Sequence, residues 1–339
     1  YIIKKKIEGK ELSEEEVFFL ISEISKNNST EAEIAYFTVA EKLNGMSTKE
    51  IISLVKAMVK TGERLKFKNK YVADKHCIGG ISGNRTTPLV ISICASAGLT
   101  LPKTSSRAIT SAAGTADVID TIANIDLSTK EMKEVIKKEG ACLAWGGSLG
   151  LAPSDDKIIR VERLLNLDVE PQLLASILSK KISAGSKYIL IDIPYGKNSK
   201  VESIKKAKKL GEKFKEIGKH FKLKLKILYT NGKEPIGNGF GPVLEMRDVL
   251  AVLQNSPEAP ADLKEKSIYL STELMKLCGI KDAKKKAEEI LSSGKAFQKF
   301  KGIINAQNGK DNFEKKIKSL KLGRYRKIIK SKRTGKIVE

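Results

Sequence analysis

The sequence predicts an α/β protein, with a small all-helical lobe, a larger α/β lobe built on a mixed sheet, and an active site in the cleft between them. Three observations carry this expectation: capped amphipathic helices through the first 66 residues, short β-like runs alternating with helices from Tyr71 onward, and a second helical stretch between Pro153 and Lys181. At 339 residues the chain is long for one compact core, which suits two lobes.

The helical lobe is read from its caps. Three S/T-x-x-E boxes, Ser13 to Glu16, Thr30 to Glu33 and Ser47 to Glu50, precede the amphipathic runs Val17 to Ile24, Ile34 to Leu43 and Ile51 to Val59. In such a box the hydroxyl and the carboxylate satisfy N–H groups that a helix start leaves unpaired. Gly45 and Gly62 end two of these helices. Residues 1–66 and 153–184 are assigned to this lobe. Residues 71–150 and 186–312 are assigned to an α/β, phosphate-binding lobe, with strands at Tyr71 to Ala73, Ala141 to Trp145, Tyr188 to Ile193 and Leu223 to Tyr229. The tail, 313–339, is basic and poor in packing residues, and reads as the start of a truncated C-terminal domain.

Composition excludes several functions. Cys77, Cys94, Cys142 and Cys278 lie far apart without a CxxC pair, and His76 and His220 are the only histidines, so neither a zinc site of ordinary spacing nor a disulfide framework is expected. The most apolar run, Pro88 to Leu101, is interrupted by Ser92, Ser96 and Gly98 and cannot span a bilayer. The N-terminus lacks the apolar run of a secretory signal, so the expected location is cytoplasmic; a start at Tyr1 reads as a fragment or a processed chain. The net charge is +23, yet only nine of the 63 basic residues are Arg and the lysines are dispersed along helix surfaces. No specific nucleic-acid partner is expected, since Arg is the preferred reader of bases and phosphates. Such a field draws anionic substrates into a cleft.

Chemistry concentrates in two stretches, "ADKHCIGGISGNRTTP" from Ala73 and "KTSSRAITSAAGTADVID" from Lys103. Gly79, Gly80 and Gly83 let the backbone approach a ligand, and hydroxyls with helix-start N–H groups make cradles for anions. Two cradles suit a substrate with two phosphates. On spacing alone, polar turns between strand and helix account for the same residues.

The strings themselves resemble the thymidine phosphorylase family of type II nucleoside phosphorylases, and most closely its archaeal AMP phosphorylase branch. "DKHxxGG" from Asp74, "SSRAITSxAGTAD" from Ser105, "PQLLASILSKK" from Pro171 and "GSKYILIDIP" from Gly185 occur in the family's order. The thymidine-cleaving branch carries a Gly- and His-containing loop where this chain has Ser106, Ala108, Thr110 and Ser111, and the added hydroxyls suit a 5'-phosphate. The fold of anthranilate phosphoribosyltransferase is related, but its GTGGD and KHGNR strings are absent.

The resemblance implies a reaction and a site. AMP and inorganic phosphate would become adenine and ribose 1,5-bisphosphate, with CMP and UMP as further substrates, no metal or organic cofactor, and a homodimer or higher homo-oligomer. Lys75, Thr86, Ser105 and Thr115 align with phosphate-binding positions. Gly80, the run Ser106, Arg107, Ala108, Ile109, Thr110 and Ser111, then Thr115, Ser176 and Lys200 align with nucleotide-binding positions. Asp168 aligns with the proton donor, and His76 with a histidine beside base or sugar. An acid that protonates a leaving base near neutrality must have its pKa raised by burial, and Leu167 and Val169 flank Asp168. The competing reading of Asp168 is a helix cap. Cys77 departs from the family's usual Ser, and the archaeal enzymes carry an N-terminal domain and a longer C-terminal one. The rival functions are a pyrimidine nucleoside phosphorylase and a basic nucleic-acid-binding protein without catalysis.

Overall fold

The computed structural model of the chain describes residues 1–108, 112–197, 199–309, 312–325 and 327–335. A short helix α1 (Ile2–Ile7) leads into α2 (Glu14–Ser25), α3 (Glu31–Asn44) and α4 (Thr48–Thr61). The three capping boxes form as read, on Ser13, Thr30 and Ser47, and Gly45 and Gly62 cap the ends of α3 and α4. Glu50 serves two ends at once. Its buried carboxylate closes the box of α4, pairs with Lys6 at 2.7 Å and accepts from the Leu12 N–H at 2.9 Å.

The chain then enters its α/β part with β1 (Ala73–Cys77), α5 (Thr86–Ser96), β2 (Leu101–Ser105), α6 (Thr115–Asp120), α7 (Thr129–Glu139) and β3 (Ala141–Trp145). Two helices follow, α8 (Pro153–Leu165) and α9 (Glu170–Ser183), before β4 (Tyr188–Tyr195), α10 (Ile204–His220) and β5 (Lys224–Asn231). The remainder is helical: α11 (Pro242–Leu253), α12 (Ala261–Leu277), α13 (Ala283–Ser292), α14 (Lys295–Asn308) and α15 (Phe313–Lys318).

The strands form two sheets, β1-β4-β5 and β2-β3, and every described ladder is parallel. This corrects the expected mixed sheet. β2 and β3, like β4 and β5, are joined by helical crossovers, and β1 reaches β4 through a longer connection that includes β2 and β3; each returns the chain in the same direction, whereas antiparallel neighbours need only a hairpin. A parallel bridge between Val72 and Thr100 brings the two sheets edge to edge.

Two strand positions also differ from expectation. The strand read at Tyr71 to Ala73 starts at Ala73 and continues through Lys75, His76 and Cys77, and β2 was not read as a strand at all. In both, a buried charge breaks the apolar pattern by which a strand is recognised. Lys103 in β2 pairs with Asp74 in β1, and both side chains are buried.

β4 divides the core by the two-residue period of a strand. Ile189, Ile191 and Ile193 belong to the apolar cluster that residues of α2, α3, α4, α8, α9 and α10 build, while Leu190 belongs to the one built from α5, α6 and α11 to α14. The helices that begin the chain and those between β3 and β4 therefore share one apolar core. In the tail, Phe313 is buried against Phe300 and Phe297, so packing reaches α15 where the sequence suggested little. No described helix is long and apolar enough to cross a membrane.

Candidate active site

Because the ladders are parallel, the carboxyl ends of β1, β2 and β4 open onto the same side, where ligands of parallel α/β sheets bind. The loops there are those rich in Gly, Ser and Thr. Gly80 has φ of +86° and lies so close to the loop after β4 that a Cβ would stand 2.3 Å from the Lys200 backbone nitrogen. Only glycine fits, and the contact seats Lys200 beside the glycine loop.

Lys75 is fully buried on β1. Its ammonium donates to Thr86 Oγ1 at 2.8 Å and Thr87 Oγ1 at 3.3 Å, at the start of α5. Among the described residues no carboxylate forms an ion pair with it. One residue earlier, the buried Asp74 lies between Lys181 at 2.6 Å and Lys103 at 3.4 Å. Two of the three buried lysines, Lys103 and Lys181, thus pair with this one carboxylate. Burial lowers the pKa of Lys75, and burial assisted by Lys181 and Lys75 lowers that of Lys103 against the pull of Asp74. His76 is held well below the ordinary histidine range by burial and by Lys181, Lys103, Lys75 and Lys200, which leaves a neutral imidazole at pH 7. Cys77 accepts from Asn84 Nδ2 at 3.3 Å, and burial pushes its thiol up.

At the end of β2 the Ser105 hydroxyl is buried without a hydrogen-bond partner among the described residues. The next loop is closed by Asp117, whose Oδ2 accepts from the N–H groups of Ala108 at 2.7 Å and Gly114 at 2.8 Å, and the Ser106 carbonyl accepts from Ala116 N–H at 3.2 Å. Thr115 Oγ1 accepts from Arg85 at 3.0 Å. Arg107, read as nucleotide-binding, makes its contacts to the loop itself. Its guanidinium donates to Asp117 and Asp120 at 3.1 and 3.0 Å and lies 5.2 Å from the centre of the Trp145 ring, contacts that hold the loop. Ile109, Thr110 and Ser111, also read as nucleotide-binding, lie outside the described residues.

Asp168, just before α9, and Lys200, in the loop after β4, come together with Oδ1 and Nζ 2.9 Å apart. The expected burial of Asp168 is absent, since its side chain is 57% exposed. It does not cap α9 either: the N-cap is Val169, and no side chain caps that helix start. Its backbone carbonyl accepts from Lys42 at 2.8 Å, which ties the segment to α3. Ser176 donates to Asp155 Oδ2 at 2.9 Å, and the same carboxylate takes Gln172 and Lys180. The carboxyl raised here is that of Glu162, pushed up to about 8 by burial and by Asp155 and Asp168, with Lys200 opposing.

The structure thus joins Lys75 to Thr86 and groups Gly80 with Lys200 and Asp168. Sequence reasoning missed Asp74, Arg85, Thr87, Lys103, Asp155, Glu162 and Lys181. The available signal was charge inside apolar runs, as in "VADK", "LPKT" and "ILSKK", where a buried pair is the economical explanation. Among the described residues no group of three His, Cys, Asp or Glu side chains is arranged to hold a metal ion.

Residues 1–62 match the helical bundle domain of a glycosyl transferase family, and residues 69–169 match that family's α/β domain. The chain is 47% identical over 310 residues to a protein of Ralstonia nicotianae provisionally named thymidine phosphorylase, covering 91% of this chain and 61% of that protein. It is 44% identical over 336 residues to an AMP phosphorylase of Methanococcus aeolicus, covering 98% of this chain and 66% of that one. The chain therefore spans about three fifths to two thirds of the length of these relatives. Among solved structures, anthranilate phosphoribosyltransferase from Thermus thermophilus superposes with a TM-score of 0.73 at 18% identity, over 90% of this chain and 99% of the other, a likeness of fold.

Proposed function

Because the chain belongs to the glycosyl transferase family whose helical-bundle and α/β domains it carries, with relatives named thymidine phosphorylase and AMP phosphorylase, we propose that it cleaves nucleoside 5'-monophosphates with inorganic phosphate. AMP and phosphate give adenine and ribose 1,5-bisphosphate, and CMP and UMP are further substrates. The observation that carries this reading is Lys75, a fully buried ammonium held by two threonine hydroxyls beside a glycine loop and paired with no carboxylate among the described residues. A buried cation is costly unless an anion compensates it. A bound phosphate supplies that charge, and the Ser105 hydroxyl, buried without a partner among the described residues, lies at the end of the adjoining strand to donate to it.

In the reaction, a phosphate oxygen attacks C1', the bond from C1' to the base nitrogen breaks, and its electron pair leaves with the base. The departing base needs a proton, and Asp168 is the proposed donor. The Asp168–Lys200 pair links this step to the substrate, since a 5'-phosphate competes with the Asp168 carboxylate for Lys200. Neutral His76 serves as a hydrogen-bonding group beside the sugar or base rather than as a cation. Fixed donors of this kind stabilise developing charge without reorganising.

The test is phosphate-dependent release of free base, with AMP, CMP, UMP, adenosine and thymidine compared in parallel. AMP is expected to exceed adenosine by orders of magnitude in kcat/KM, since each charge-assisted hydrogen bond contributes on the order of 1.5–3 kcal/mol. Comparable turnover of AMP and adenosine, or preference for thymidine, replaces this reading with a nucleoside phosphorylase.

A further inference from the structure

We infer that Arg85 is a positioning residue: it locks the loops after β1 and β2 into one frame and fixes the Thr115 hydroxyl as a proton donor toward a bound oxyanion. This rests on the phosphate-binding reading above and adds to it a residue outside the set inferred from sequence.

Arg85 sits at the end of the glycine loop, just before α5, and is 6% exposed. Its three nitrogens tie its own loop to two other segments. Nε binds the Glu245 carboxylate on α11, Nη1 donates to Thr115 Oγ1 at 3.0 Å, and Nη2 donates to the Ala113 carbonyl at 2.6 Å. Glu245, 1% exposed, is itself anchored, its Oε1 accepting from the Gly241 N–H at 3.1 Å. The loop that Arg85 grips has no slack: a Cβ on Gly114 would lie 2.4 Å from the Arg107 carbonyl carbon, and Asp117 ties Ala108 to Gly114.

The chemistry follows from what each group can do. A guanidinium only donates, and a hydroxyl has one proton. Thr115 accepts from Arg85, so its own O–H is left to point elsewhere as a donor, strengthened by the positive charge behind it. Lys75 likewise donates to Thr86 Oγ1, whose own hydroxyl is turned toward Asn84 Oδ1 at the long distance of 3.5 Å. Two cations thus stand behind two hydroxyls, on the two loops that the sequence reading took for anion cradles. Such an arrangement recognises an oxyanion, which accepts from every hydroxyl, over a neutral ligand that must also donate.

The experiment is a binding cycle with orthophosphate, followed by calorimetry on the full chain. Arg85→Met alone leaves Glu245 buried and uncompensated, so the variant is Arg85→Met with Glu245→Gln, compared with Thr115→Val and with all three changes together. The Arg85/Glu245 variant and Thr115→Val are each expected to raise the orthophosphate Kd tenfold or more. The triple variant should bind no more weakly than the weaker of the two, because Arg85 acts through Thr115. Thr115→Ser, which keeps the hydroxyl, should bind within a few-fold of the unmodified protein. An unchanged Kd in the Arg85/Glu245 variant, or effects that multiply in the triple variant, overturns the inference. If the Arg85/Glu245 variant does not fold, Arg85→Lys decides instead: one ammonium cannot replace all three contacts, so the Kd must rise, and an unchanged Kd overturns the inference. The two readings fail separately. A chain that binds orthophosphate but releases no base sinks the phosphorylase reading alone; one that releases base while the cycle multiplies sinks the role of Arg85 alone.

Discussion

Asp168 is the residue on which the proposed chemistry turns, and its surroundings explain why sequence could suggest its role but not its state. Leu167 and Val169 flank it in sequence, yet its carboxylate stands exposed and paired with Lys200, which comes from the loop after β4. We expect Asp168→Asn to fold normally, to bind AMP with similar affinity and to lose kcat by about 100- to 10,000-fold, the range of general acid catalysis. Circular dichroism, AMP binding and base release measure the three parts. Near-normal turnover in the variant would falsify the assignment and move the proton to another group.

At the scale of elements, helix packing stores a pH dependence. Glu41 on α3 is fully buried with neither carboxylate oxygen hydrogen-bonded among the described residues, and burial, then Glu162 and Glu50, raise it well above the ordinary range against Lys6. Glu162 on α8 is pushed up to about 8. Both acids therefore keep protons in the folded chain that the unfolded chain gives up near pH 4.5. With fewer protons bound in the unfolded state, stability falls as pH rises from that value, and for Glu162 the loss is complete above about 8. Thermal unfolding midpoints at pH 5 and pH 8.5 test this: the drop between them should be smaller in Glu162→Gln than in the unmodified chain. Equal drops sink the claim. Elements of this lobe were legible because caps are local, a hydroxyl and a carboxylate three residues apart. β2 was not, because its Lys103 is explained by Asp74 on another strand.

For the whole molecule the net charge of +23 decides non-specific behaviour. Nucleic acid should bind weakly, without sequence preference, and should be released as salt rises from about 50 to 200 mM, because such binding is driven by counterion release. A gel-shift titration at physiological salt checks this, and sequence-selective nanomolar binding would restore the nucleic-acid reading.

The sequence alone determined the capped helices, the glycine and hydroxyl loops, and the family, because each is written in residues close together in the chain. It also placed Lys75 and Thr86 in one site. Only the tertiary structure decided that the strands run parallel, that Asp168 is exposed and meets Lys200, that Arg107 serves the loop, and that Arg85 joins three segments. The reason is physical: a buried charge is tolerated only with partners, and those of Asp74 and Arg85 lie 28 to 160 residues away, beyond the reach of any local pattern.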